Sequence, residues 1–158
     1  MDGYILLADG FRLDGKLFGA DKGGSSCATG TVAANTAVVG FQEMATDPAY
    51  HGRILAFTYP EIGNVGMTGG ASESPGFQVA GLVVKVVCER SSHYLAEAEF
   101  RDALREGGVP CLWDVDTRAL AVHLRTEGEM AAAIAPADVD AKELKKDLAK
   151  VQRPAFEP

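Results

Sequence analysis

The sequence predicts a mixed α/β protein, with strands dominating its first half, in one compact domain. Three observations carry that expectation. Up to residue 88 the chain alternates short β-branched or apolar runs with Gly- and Asp-rich breaks. From residue 95 the apolar period changes to helical spacing. The 158 residues, 47% hydrophobic and 23% charged, suffice to fill a core without a disulfide or metal staple.

The elements follow in order. Tyr4–Leu7 and Phe11–Phe18 flank Ala8-Asp9-Gly10 as a hairpin, and in the second run Phe11, Leu13 and Gly15 alternate with Arg12 and Asp14. Asp21–Ser26 is a Gly/Ser loop, and Thr29–Ala37 is small and β-branched enough for a strand. Arg53–Thr58 is a short apolar strand closed by Tyr59-Pro60, because a residue before proline favours extended geometry. Met67–Gly76 is a loop, and Phe77–Cys88 reads as one long central strand buried on both faces. Leu95–Glu106 carries helical spacing after a start at Ser91 or Ser92 and stops at Gly107-Gly108. Val109–Trp113 is a brief strand. Asp116 opens a second helix that ends at Gly128, and Met130–Ala135 is a strand rejoining the sheet. Asp140-x-x-Glu143 has the form of a capping box before a third helix through Val151.

Lys and Arg number 15 against 22 Asp and Glu, a net charge of −7, which argues against nucleic acid or an anionic membrane as partner. No apolar stretch approaches a membrane span, and the acidic, briefly apolar N-terminus is unlike a signal peptide. Cys27, Cys88 and Cys111 are odd in number and widely spaced, without a C-x-x-C pair. The three histidines have no metal-ligand spacing, so no metal site and no cofactor are expected, and a reducing cytoplasm is the simplest compartment.

Candidate chemistry is sparse. Cys88 and Cys111 read as small buried hydrophobes, and Cys27 lacks a cationic neighbour beyond Lys22 to lower its pKa. Asp114 and Asp116 form a carboxylate pair, yet Asp116 stands where an N-cap belongs, and capping is the favoured reading. Arg118 and Arg125 lie seven apart on one face of the helix that follows, either solvated or facing an anionic partner. Gly23-Gly24 and Gly69-Gly70 lack any phosphate-loop spacing. The densest run is Gly40–Gly66. There Asp47-Pro48 has turn chemistry, but Gln42, Glu43, Thr46, Tyr50, Tyr59 and Asn64 exceed what two turns around a strand require, which marks a recognition edge.

Gly40-Phe41-Gln42-Glu43, Thr46-Asp47-Pro48-x-Tyr50 and Thr58-Tyr59-Pro60-x-Ile62-Gly63-Asn64-x-Gly66 closely resemble the signature of the carbamoyl phosphate synthetase small subunit, in its N-terminal domain. The similarity continues through Glu73-Ser74, Gly81-Leu82-Val83-Val84 and Ser92-His93-Tyr94. It culminates in Asp116-Thr117-Arg118-Ala119-Leu120-x-x-His123-Leu124-Arg125-x-x-Gly128, and covers roughly Gly3 to Ile134. The resemblance implies a three-layer β/β/α swivelling domain over residues 1–152, with 153–158 a tail or the start of a linker. It also implies a role in arginine or pyrimidine biosynthesis. The family's small subunit hydrolyses glutamine and delivers ammonia to a large subunit, a ligase that makes carbamoyl phosphate. The hydrolysing machinery belongs to a C-terminal amidotransferase domain, expected to begin where this chain stops. The matched domain is thus expected to be non-catalytic and to dock the large subunit and the amidotransferase domain, with Gln42, Glu43, Asp47, Tyr50, Tyr59 and Asn64 on an interdomain or subunit edge.

Two departures from the family pattern stand out. The family usually has a serine after Asp-Pro that touches glutamine, and here the residue is Ala49. Ala37, Val39 and Phe41 stand where the family usually carries hydroxyls. These losses motivate an alternative, a stand-alone binding or regulatory module without glutamine chemistry. A small independent hydrolase using Cys27 or another thiol is the third.

Overall fold

The structure is a computed structural model, and it describes residues 1–19, 28–36, 40–58, 61–62, 67, 72–87 and 100–150. Seven strands close into one barrel. In chain order the strands are β1 (Asp2–Leu7), β2 (Arg12–Phe18), β3 (Ala28–Asn35), β4 (Ile54–Phe57), β5 (Glu61–Ile62), β6 (Gly81–Val83), β7 (Val86–Val87), β8 (Cys111–Trp113) and β9 (Met130–Pro136). The helices are α1 (Phe41–Thr46), α2 (Phe100–Glu106), α3 (Thr117–Glu127) and α4 (Ala141–Leu148). Around the barrel the order is β1-β2-β8-β6-β4-β3-β9, and β5 pairs with β7 in a separate ribbon. The pairs β3–β4, β4–β6 and β6–β8 are parallel, whereas β1, β2 and β9 join the wall antiparallel.

Alternation along each strand sorts the apolar side chains into three clusters. Ile5, Leu7, Leu17, Val32, Ile54, Ala56, Val83, Leu112 and Ile134 point inward, where Leu120 and Leu124 of α3 join them. Leu55, Phe57, Leu82 and Cys111 point outward and are covered by Phe41 and Ala45 of α1 and Leu104 of α2. Tyr4, Leu6, Ala133 and Ala135 point outward on the opposite arc and are covered by Leu144 and Leu148 of α4. Both faces of the wall are therefore apolar, and each full Leu or Ile burial contributes about 1.5–3 kcal/mol.

The helix α3 closes one end of the barrel, because its two leucines enter the interior cluster beside Phe11, Leu13, Ala80 and Met130. Its start is set by Asp116, whose carboxylate accepts the Ala119 amide at 3.0 Å. Its end is set by Gly128 at φ 87°, whose amide returns to the Leu124 carbonyl. His123 ties α3 to the β1–β2 hairpin, stacking on Phe11 at 3.9 Å between ring centroids and meeting Asp9 Oδ2 at 2.6 Å. Burial works to raise the Asp9 carboxyl, but the Phe11 amide and His123 outweigh it and hold the group below its ordinary value. On α4, Asp140 caps by accepting from the Lys142 amide at 2.9 Å.

The hairpin, the Arg53–Thr58 strand, the strand after Gly108, the strand after Gly128 and the last helix all stand where the sequence predicts them. The long Phe77–Cys88 strand does not. It is divided into β6 and β7, and only β6 belongs to the wall. Its neighbours explain the length, since β4 has four residues and β8 three, and nothing remains for a twelve-residue strand to pair with. Before β6 the main chain is diverted, with Gln78 N–H bonded to Ala45 and Gln78 carbonyl to the Gly52 amide. After it, the Lys85 carbonyl accepts from the Asp114 amide and the chain turns off the wall. The helix α1 is absent from the sequence-based reading; Phe41, Met44 and Ala45 are its only apolar residues, and Gly40 offers no capping side chain. The start expected at Ser91 or Ser92, the Asp21–Ser26 loop and Val151 lie outside the described residues.

Three measurements check this account. Asp116→Ala should lower stability by about 1 kcal/mol in urea melts, with Asp116→Asn close to wild type. Gly30 faces the interior where a Cβ would sit 2.3 Å from the Gly52 carbonyl oxygen. Gly30→Ala should therefore cost about 1–3 kcal/mol in the same melts, as an overpacked site does. Because the folded Asp9 carboxyl is held low, it stabilises above its unfolded pKa of roughly 3.9 and loses that effect as pH falls through the folded value. Thermal melts of Asp9→Asn should then show a shallower loss of stability between neutral and acid pH than wild type.

Candidate functional site

The polar residues after Gly40 belong to a short crossover between parallel strands β3 and β4. The chain leaves β3, forms α1 on the outer face, makes a 3-10 turn at Pro48–Tyr50 and enters β4. Phe41 anchors the crossover by meeting Phe57 edge to face, with centroids 5.0 Å apart. Asp47 caps the turn, accepting the Ala49 amide at 2.9 Å, and Pro48 supplies the first-turn φ.

The crossover is stitched to residues 72–80 by side chains. Thr46 is 2% exposed, and its hydroxyl donates to the Gln42 carbonyl at 2.7 Å while accepting the Glu73 amide at 2.9 Å. The Thr46 carbonyl in turn accepts the Ser74 hydroxyl at 2.6 Å. Gln42 is buried and its amide donates to Ser72 Oγ at 2.7 Å. Gln78 Nε2 donates to Ser74 Oγ at 3.0 Å, which leaves Gln78 Oε1 as acceptor for His51 Nδ1 at 3.0 Å. That chain of bonds assigns the proton to Nδ1 and leaves His51 Nε2 as the acceptor.

Within this frame Gln42 is a brace, and Glu43 lies half-buried in the first turn of α1. Asp47 is a turn cap, Tyr50 packs half-buried against the outer cluster, and Ala49 is exposed at the tip of the turn. The Ala49 amide is already used by Asp47, so the backbone group it retains for a ligand is its carbonyl. Tyr59 and Asn64 lie outside the described residues, as do Ala37 and Val39. Asp116, Arg118 and Arg125 are elsewhere, on α3 at the barrel end, with both arginines exposed. The structure thus brings Gln42, Glu43, Asp47, Ala49 and Tyr50 together and sets the α3 residues apart. Ser72, Gln78 and His51 complete the edge, and no spacing in the sequence connects them to it.

The described groups offer little for covalent or metal chemistry. Burial pushes the Cys111 thiol far above its ordinary value, so it stays protonated on the outer face of β8. Cys27 and Cys88 lie outside the described residues. Among the described residues no three His, Cys, Asp or Glu side chains gather as a metal site, and no helix is long and apolar enough to cross a membrane. An open concavity of about 410 Å³ lies elsewhere, beside Asp2, Asp14, Lys16 and Asp114.

Residues 5–134 match the family model for the carbamoyl-phosphate synthase small chain, CPSase domain. A carbamoyl phosphate synthase small chain of Symbiobacterium thermophilum is 47% identical over 123 residues, covering 77% of this chain and 34% of that one. An arginine-specific small chain of Bacillus subtilis is 40% identical over 134 residues, covering 85% and 36%. A pyrimidine-specific small chain of Halalkalibacterium halodurans is 35% identical over 154 residues, covering 98% and 41%. The chain therefore spans between a third and about two fifths of the length of these relatives. A match that runs through nearly the whole barrel, from β1 to β9, places this chain in the carbamoyl-phosphate synthase small chain family, as its CPSase domain.

Proposed function

We propose that this chain is the N-terminal structural and docking domain of a glutamine-hydrolysing carbamoyl phosphate synthetase small subunit. In that assembly an amidotransferase domain releases ammonia from glutamine, and a large subunit uses it to make carbamoyl phosphate in the cytoplasm. The observation that carries the reading is the crossover edge, where Gln42, Thr46, Ser72, Ser74 and Gln78 bond mainly to one another and to main chain. Such groups hold a surface in shape; they do not activate a nucleophile or a water. The domain has no catalytic residue and no cofactor of its own. Residues 1–152 form the domain, and 153–158 are a tail or the start of a linker. The three-layer swivelling assignment belongs to the same proposal, with α1 and α2 as the helical layer over the β4–β6–β8 arc.

In this role the turn presents Ala49 to the neighbouring glutamine site through its carbonyl, and the missing hydroxyl weakens the contact without abolishing it. A second reading, a free binding module without glutamine chemistry, is favoured only by the exposed Ala49 methyl.

Three outcomes test the proposal. The chain alone should release no ammonia from glutamine, and a thiol-dependent glutaminase activity would refute its non-catalytic role. It should elute with the carbamoyl phosphate synthetase large subunit as a stoichiometric complex on gel filtration; separate elution would favour the free module. Within a small subunit that carries this domain, Ala49→Ser should lower the KM for glutamine by roughly tenfold or less, the worth of about one hydrogen bond, with kcat little changed.

A further inference from the structure

The outer wall carries a group of cations that the docking role as stated does not use. Lys16 and Phe18 point outward from β2, directly across from Trp113 and Cys111 of β8. The Arg101 guanidinium lies 4.8 Å from the Phe18 ring centroid and 6.0 Å from that of Trp113. Arg105, one helical turn on, lies 5.6 Å from the same Phe18 ring, and Lys16 Nζ lies 5.9 Å from Trp113. Phe18 and Trp113 are partly buried against the cluster that also seats Phe41, Ala45 and Tyr50, so this patch and the crossover edge share one outer surface.

Lys16 stands beside Asp2, Asp14 and Asp114 at the rim of the concavity, but among the described residues neither arginine has an ion-pair partner. Among the described residues the ion pairs are Arg12–Asp14, Arg53–Glu129, Lys85–Asp114 and His123–Asp9, and none involves Lys16, Arg101 or Arg105. Arg101 Nε is moreover buried without a hydrogen-bond partner. Two like charges at i, i+4 weakly oppose a short helix, and among the described residues no carboxylate forms an ion pair with either. Aromatic rings and arginines grouped on one face are the make-up of an interface centre. A polynucleotide would meet three cations here and a net charge of −7 over the whole chain, which disfavours it.

We propose that Lys16, Arg101 and Arg105, seated on Phe18 and Trp113, form the surface that receives a carboxylate-bearing face of the synthetase large subunit. The inference rests on the docking role above and specifies which face does the docking. Guanidinium groups stacked on rings keep their donors in the plane, ready for bidentate bonds to carboxylates from the partner.

The test is the affinity of the full chain for purified large subunit, by titration calorimetry at low and high salt. Arg105 is exposed, so Arg105→Glu should not lower the thermal melting temperature yet should weaken binding by about tenfold or more at low salt. Arg101→Gln with Arg105→Gln should flatten the salt dependence. Lys145→Gln with Lys146→Gln, on α4 over the β1–β9 arc, should change neither. Equal affinity of wild type and the arginine variants would overturn this assignment and leave the docking role standing. Absence of binding by wild type would overturn both. A labelled single-stranded RNA retained by wild type and lost by the arginine variants would overturn the carboxylate partner.

Discussion

The antiparallel pairing of β1 with β9 is the constraint on which the rest of this molecule depends. Through Ile5 opposite Ile134 and its neighbours it converts an open sheet into a barrel, and so removes both edges at once. Closure creates an interior that must be filled, and the inward residues of seven strands with Leu120 and Leu124 fill it. Closure also leaves two outer arcs of apolar side chains, which need covers. The helices α1 and α2 cover one, α4 covers the other, and α3 is drawn to the end. The position of each described helix follows from where the closed wall is greasy and uncovered.

The crossover edge obeys a different rule. Its helix has six residues, three of them apolar, too little burial to fix a shape. What fixes it is polar satisfaction. Each bond among Gln42, Thr46, Ser72, Ser74 and Gln78 contributes about 1 kcal/mol net, but leaving a buried partner unmet costs about 1–3 kcal/mol, so alternative arrangements are penalised more than this one is rewarded. The turn that exposes Ala49 is therefore rigid for reasons that lie beneath it, in groups that a ligand or partner never touches.

Much of the wall was legible in the sequence because its signals are local. The hairpin announces itself by alternation around Asp9-Gly10, α3 by Asp116 and Gly128, and β9 by a run of small apolar residues. The failures are of another kind. Phe77–Cys88 is apolar enough for one strand, and only the three- and four-residue lengths of β8 and β4, set far along the chain, cut it down. The helix α1 was hidden because its cap is a glycine and its support is Phe57, eleven positions beyond its last residue. At the candidate site the run after Gly40 stands out by composition alone, and its family likeness is readable in the same residues. The partners that organise it, Ser72, Gln78 and His51, carry no periodic mark, since hydrogen bonds between loops leave no spacing behind.

The same closing pair has a temporal consequence. The second residue of the chain and the hundred-and-thirty-sixth lie on strands that must meet, which makes the average contact distant in sequence and the folding correspondingly slow. During synthesis at roughly 5–20 residues per second, the first hairpin waits on the order of ten seconds with one edge unpaired before its mate is made. Any chain interrupted before that last strand has no smaller barrel to fall back on. It is left with an open, apolar sheet seeking a foreign strand, so closure of the barrel is itself a safeguard against aggregation.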